Sequence, residues 1–271
     1  MKKLFDAHCH IQDERLFPHF EDMLEKASAA GVEFMATKGC TEIDWVRLKR
    51  FADAYDFIYP SYGLHPCWID KRTGNWKEEL CRYLIENPAA GVGEIGLDHK
   101  MDAFDPDDQE QVFRDQLVIA KELNRPVTIH CRNAWGQLVE ILKEFGPFER
   151  GAVIHCYGGS AATIKELLPL NAYISFAGAI LRPTNKKAAQ IVPTVPADRL
   201  LIETDAPDLF PDISIDEVEK LKPFRHDEQN LNEPATLPYV LQRVAKLRNE
   251  SEEVIARQTY ENAQKIFGFN R

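Results

Sequence analysis

Eight short apolar runs, interleaved with stretches of helical periodicity, constrain this 271-residue chain more than any other feature. The runs fall at residues 3–7, 33–37, 58–62, 91–95, 127–130, 151–155, 172–176 and 199–203. Helix candidates at 20–30, 110–124, 134–145 and 160–168 carry apolar residues at helical spacing, as Val112, Leu117, Ala120 and Leu123 do among charges. Strand, helix, strand throughout implies parallel pairing through crossover helices. Eight such units fit an α/β fold of the (β/α)8 TIM-barrel type, which takes about 250 residues. The tail, 234–267, reads as two C-terminal amphipathic helices, the second beginning at Ser251 with Val254, Ile255, Tyr260, Ala263 and Ile266 as its inner face. The acidic, proline-punctuated segment 207–233 is expected to be a loop over the barrel mouth. No repeat, low-complexity tract or linker divides the chain, so residues 1–271 read as a single barrel domain.

The first run ends in Asp6-Ala7-His8-Cys9-His10. In an extended strand, residues i and i+2 leave the same face about 7 Å apart, so His8 and His10 can converge on one ion. Asp6 shares their parity and is expected to support a histidine from behind. Other ligand-type residues also fall at strand ends: Glu94 after the fourth run, His130 at the fifth, His155 at the sixth and Asp205 after the eighth. Each alone has an ordinary explanation as a solvated rim residue, turn former or cap. Together they lie on five strand ends that open on one barrel face, where such barrels carry their sites.

Six donors of mixed nitrogen and oxygen type exceed one tetrahedral site and suit two divalent ions sharing a carboxylate. His8, His10 and Asp205 would hold the first, His130 and His155 the second, with Glu94 between them. Imidazole with carboxylate suits zinc, manganese, nickel or iron, whereas Mg²⁺ would lean more on carboxylate and water. The expected chemistry is hydrolysis by a metal-activated water, with Asp205 as general base. Arg132 lies two residues past His130, so it can share that face and meet a phosphate bidentately, or form a rim salt bridge. Cys9, Cys131 and Cys156 adjoin proposed ligands but by alternation point into the barrel wall. Trp68, Trp135 and Phe210 fall on mouth loops, where they could stack on bases or simply pack. Asp98, Asp208 and Asp212 are expected to bind nothing more than water.

The ordered series Asp-x-His-x-His, Gly-Glu-Ile-Gly-Leu-Asp, Ile-His-Cys-Arg, Val-Ile-His-Cys-Tyr-Gly-Gly-Ser, Glu-Thr-Asp-Ala-Pro and Asn-Glu-Pro resembles the TatD family of metal-dependent hydrolases, within the amidohydrolase superfamily. The resemblance spans nearly the whole chain. It implies a (β/α) barrel with one or two divalent ions (Zn, Mg, Mn or Ni) and deoxyribonuclease activity on DNA ends, often 3′→5′. On that implication His8, His10, Glu94, His130, His155 and Asp205 are metal ligands. His65 matches the family's Gly-x-His-Pro element and would face the substrate. Family members often follow that proline with another histidine, where this chain has Cys67.

A net charge of −10 gives no global basic field, which opposes a wide phosphate footprint but not a nuclease whose ions supply local positive charge. No stretch approaches the roughly 20 apolar residues of a membrane span, and Asp6 interrupts any leader-like apolar run. The six cysteines form no C-x-x-C pair and read as reduced thiols of a cytoplasmic protein. DNA or another phosphodiester is the expected substrate, no membrane partner is expected, and a monomer is compatible with the pattern. The competing expectation is an amidohydrolase-type carbonyl hydrolase acting on a small amide, ester or lactone, which needs much the same constellation.

Overall fold

The computed structural model describes residues 2–101 and 105–268. At its centre eight strands run parallel in sequence order: β1 (Leu4–Cys9), β2 (Val32–Lys38), β3 (Ile58–Tyr62), β4 (Gly91–Asp98), β5 (Val127–Arg132), β6 (Ala152–Ile154), β7 (Ala172–Phe176) and β8 (Leu200–Ile202). The sheet curls until β8 lies beside β1. Across that seam the Asp205 N–H donates to the His8 carbonyl at 2.9 Å and the His10 N–H to the Ala206 carbonyl at 2.7 Å. The eight-unit barrel read from the sequence is the fold the chain adopts.

Among the described residues ten α-helices accompany the strands: α1 (Phe20–Ala29), α2 (Glu42–Ala54), α3 (Trp76–Glu86), α4 (Pro106–Glu122), α5 (Trp135–Phe145), α6 (Ala161–Leu167), α7 (Ala188–Ile191), α8 (Ile215–Leu221), α9 (Leu237–Arg248) and α10 (Glu252–Phe267). Their starts follow local chemistry. Thr41 caps α2 through the Asp44 N–H, Asp105 caps α4 with Pro106 in its first turn, and Ser251 caps α10 through the Val254 N–H. The sequence reading did not single out α2 and α3. In α2 the buried stripe of Trp45, Leu48 and Ala52 is blurred by Ile43 and Val46, which face solvent.

Segment 207–233 is more ordered than the expected loop. It contains α8, begun by a reciprocal Ser214–Glu217 capping box, and a hairpin pairing Arg225–His226 with Gln229–Asn230. Asp227 and Glu228 turn that hairpin with φ of +46° and +65°, a geometry usually signalled by Asn-Gly, so the turn was hidden. The inner face of α10 is also rotated from expectation. Ile255, Ala263 and Ile266 are buried as read, but Ala256, Thr259, Asn262 and Phe267 replace Val254 and Tyr260. Asn262 explains part of the rotation, donating from Nδ2 to the Ala197 and Leu200 carbonyls.

Ala263, Ile266 and Phe267 of α10 plug the end of the barrel opposite the carboxyl-terminal strand ends, packing on Phe5, Tyr59, Val153, Tyr173 and Leu201. Phe5 and Phe267 stack with ring centroids 5.7 Å apart. Each large side chain buried this way contributes about 1.5–3 kcal/mol. With one end closed by apolar packing, polar side chains gather at the other. Among the described residues no helix is long and apolar enough to cross a membrane.

Gly96 ties this scaffold to the strand ends. Its φ is +145°, and a Cβ there would overlap the carbonyl oxygen of His130 on the neighbouring strand. Gly96→Ala is expected to lower unfolding free energy by about 3 kcal/mol or more, combining backbone strain with overpacking. A denaturant midpoint unchanged from wild type would show that β4 and β5 do not pack this closely.

Candidate metal centre

The six residues read as ligands, with His65 but without Arg132, come together at the strand ends with the Glu94 carboxylate at their centre. Its Oε2 lies 3.3 Å from Nε2 of both His8 and His10. Its Oε1 lies 2.7 Å from His155 Nε2, 3.1 Å from His130 Nδ1 and 3.3 Å from His65 Nε2. Asp205 Oδ1 completes the His8–His10 side at 3.5 and 3.6 Å. Three overlapping groups each bring three ligand atoms within 4.8 Å of one another: His8, His155 and Asp205; His8, His10 and Glu94; His65, Glu94 and His130. His65, expected only to face substrate, therefore sits among the candidate ligands.

For His10, His130 and His65, the hydrogen-bond partner of the other ring nitrogen decides what the inward nitrogen of the neutral ring offers. His10 Nδ1 lies 2.8 Å from the Lys38 carbonyl, which only accepts, so Nδ1 holds the proton and Nε2 turns a lone pair inward. His130 Nε2 lies 3.1 Å from Asp98 Oδ2, which leaves the Nδ1 lone pair facing Glu94. His155 Nδ1 faces Glu203 Oε1 at 3.6 Å, and its Nε2 meets Glu94. His65 is the opposite case. Its Nδ1 accepts the Cys67 N–H at 3.1 Å, so the neutral ring carries its proton on Nε2, toward the cluster. His10 and His130 thus bear ligand tautomers, while His65 bears a donor tautomer.

This donor set fits divalent cations. Lone pairs of His10 and His130 stand 3.1–3.3 Å from carboxylate oxygens, an arrangement that repels unless a proton or cation lies between. The electrostatics show the same demand for positive charge: burial opposes it, yet Cys40 and Asp205 raise His10 well up, and Asp98 and Glu94 raise His130. Despite burial, which favours the neutral acid, His155, His65 and His8 hold the Glu94 carboxyl well below the usual range. Burial drives His8 well down. It opposes charge on His155 too, but Glu94 and Glu203 outweigh it and raise that ring.

The local backbone accounts for these positions. Pairing of β1 with β2 shifts register between Asp6 and Cys9, so strict alternation does not hold. Asp6 consequently supports no imidazole directly, contrary to expectation. Its carboxylate accepts from the His8 N–H at 3.3 Å and the Thr204 N–H at 2.9 Å, stitching β1 to β8. Burial, opposed by the bonds from Thr204, pushes Asp6 up to about 7. Asp205 adopts φ +59°, a left-handed conformation that Asp tolerates.

Several contributors were missed or underrated. Asp98, expected to bind only water, is buried and orients His130, while its own N–H donates to Gln109 Oε1 at 2.8 Å. Glu203 is fully buried and accepts the Cys156 N–H at 2.6 Å; it lies inside the Glu-Thr-Asp motif, the signal that could have found it. Lys38 had no sequence signal. It is fully buried, donates to Ser61 Oγ at 3.3 Å and lies over the Phe267 ring at 4.2 Å. Arg132 is half exposed at the mouth, 3.9 Å from Asp98. Cys9 packs in the wall beside Thr37, and burial pushes Cys131 up to about 12, so neither offers a thiolate at neutral pH.

The cluster forms the floor of a cavity of about 690 Å³ that includes Arg15, Trp68 and Lys71. A cavity of about 810 Å³ lies at the opposite barrel end, by Lys2, Val32 and Phe57, and among the described residues it carries no candidate ligand group.

A profile of the family described as TatD related DNase matches residues 5–268. A metal-dependent hydrolase of Bacillus subtilis, YabD, is 37% identical over 270 residues, covering 98% of this chain and all of that protein. The 3′-5′ ssDNA/RNA exonuclease TatD of Pantoea ananatis is 31% identical, covering 98% of this chain and 99% of its own. The solved structure of YjjV, a TatD homolog from Escherichia coli K12, superposes with a TM-score of 0.87 at 28% identity, covering 98% of each chain.

Proposed function

Because the chain belongs to the TatD family of metal-dependent hydrolases, we propose that it is a divalent-metal-dependent nuclease trimming single-stranded DNA or RNA from the 3′ end. The observation that carries the reading is the set of inward lone pairs around Glu94 at the bottom of an open cavity. The names of its relatives favour a phosphodiester over the amide, ester or lactone of the competing expectation.

His8, His10, Glu94 and Asp205 would hold one cation, and Glu94, His130 and His155 a second. When bound, such cations supply positive charge for phosphate oxygens and lower the pKa of water. Asp205, the more exposed of the two carboxylates in the cluster, accepts the proton of the attacking water. Arg132 offers a forked guanidinium to the phosphate at the mouth. His65 donates from Nε2 to a phosphate or leaving-group oxygen. Asp98 and the Lys38 carbonyl fix the tautomers of His130 and His10 from behind. One chain supplies every donor, so residues 1–271 are read as one catalytic domain, and six unpaired cysteines suit a cytoplasmic setting.

His65→Ala separates donor from ligand. It is expected to lower kcat about 10²-fold with metal content unchanged, whereas loss of an ion would make His65 a ligand. The function itself is tested with protein reconstituted in Mg²⁺, Mn²⁺, Zn²⁺ or Ni²⁺ and a 5′-labelled single strand. A metal-dependent ladder shortening from the 3′ end is expected. Hydrolysis of esters or lactones with no cleavage of DNA or RNA would transfer the site to the carbonyl class.

A further inference from the structure

Three aromatic side chains were read at the mouth, and the structure separates them. Trp135 is only partly exposed and packs edge-on against Tyr157 at 4.9 Å, and Phe210 is half-buried. Trp68 is 42% exposed and lines the same cavity as His10, Glu94 and Asp205. It lies in the short 3-10 helix Pro66–Lys71, which begins directly after His65. The Trp68 N–H donates to the His65 carbonyl at 2.8 Å, so the reach from indole to donor imidazole is set by one tight turn. Lys71 Nζ stands over the indole, 4.1 Å from its centroid, which steadies the ring and places a cation beside it.

The charge around the cavity limits what else could anchor a substrate. Of its two lining cations, Arg15 is held by Asp13 and Asp208, each at 2.9 Å, and Lys71 has the indole. Asp13, Glu14, Glu42, Asp44 and Asp208 line the same cavity, so a long polyanion gains little there from charge. Resting on the nuclease reading, we propose that Trp68, backed by Lys71, is the platform on which the terminal nucleobase of a single-stranded substrate stacks. The subsite takes a base of any identity, since every base has a π-face, with Lys71 beside the neighbouring phosphate. Its ligand class is the unpaired end of a short oligonucleotide.

Binding is measured in an Asp205→Asn background, so that affinity is read without turnover. The probes are a fluorescent deoxyadenosine pentamer and the same pentamer ending in an abasic tetrahydrofuran residue. Adding Trp68→Ala is expected to weaken the normal pentamer about 5- to 150-fold and leave the abasic one unchanged. Trp68→Phe should restore most of the affinity, and Trp135→Ala should change neither probe. A log–log salt slope no steeper than about −1.5 is expected, as the two phosphate contacts of Arg132 and Lys71 give on a single strand. Equal losses for both probes, no loss, or no binding of either overturns the platform. Base-dependent binding through Trp68 without pentamer hydrolysis by the Asp205-intact protein supports the platform and counts against the nuclease reading.

Discussion

Asp205→Asn is expected to lower kcat by about 10³- to 10⁴-fold at saturating metal, with a denaturation midpoint close to wild type. The substitution keeps shape and volume, and the Asp205 N–H bond to the His8 carbonyl at the barrel seam is a backbone contact that remains. What it removes is the carboxylate oxygen 3.5–3.6 Å from His8 and His10, the group assigned to take a proton from water. General base removal alone accounts for about 10²–10⁴-fold, and the lost negative charge beside the first cation adds to it. Steady-state kinetics on a single-stranded oligonucleotide read the effect. A kcat within a few-fold of wild type would remove Asp205 from the chemistry.

Glu94→Gln is expected to be the most damaging single change at the site. Glu94 is 3% exposed, and its two oxygens between them meet five histidines. An amide supplies one oxygen and one N–H2, so one of the two half-sites would face a donor where it now faces an acceptor. Loss of an outer partner of a metal-binding histidine already costs about 10–100-fold in metal affinity, and loss of a carboxylate that would serve both proposed ions should exceed that, to about 10³-fold. On the proposed two-ion site, elemental analysis after dialysis should fall from two ions per chain to one or none, and activity should be lost with them. Two retained ions would show that another group bridges the halves.

The barrel was legible because all eight strands are short apolar runs and helical stripes follow enough of them to imply crossover helices, even where a stripe is blurred, as in α2. The clustering of the proposed ligands was legible because each is a polar residue ending or closely following such a run, as His130 ends Val127-Thr128-Ile129. What escaped depends on partners far along the chain. Asp6 finds Thr204, 198 residues away, after a register shift that no alternation rule foresees. Lys38 reads as an ordinary charge after an apolar strand, and only barrel closure buries it over Phe267. The tautomer of His65 hangs on one backbone N–H in a 3-10 turn, so sequence could place the ring near substrate but not separate donor from ligand. Trp68, Trp135 and Phe210 looked alike in sequence, and Tyr157 packing and exposure distinguish the two indoles.

The central claim is that the histidines and carboxylates around Glu94 hold the divalent ions of a hydrolase. Anomalous diffraction from crystals grown with Mn²⁺ or Zn²⁺ tests it most directly. Two peaks should flank the Glu94 carboxylate, one bounded by His8, His10 and Asp205 and the other by His130 and His155, with His65 Nε2 outside both coordination shells. Strong peaks elsewhere on the protein with none at Glu94 would contradict the account.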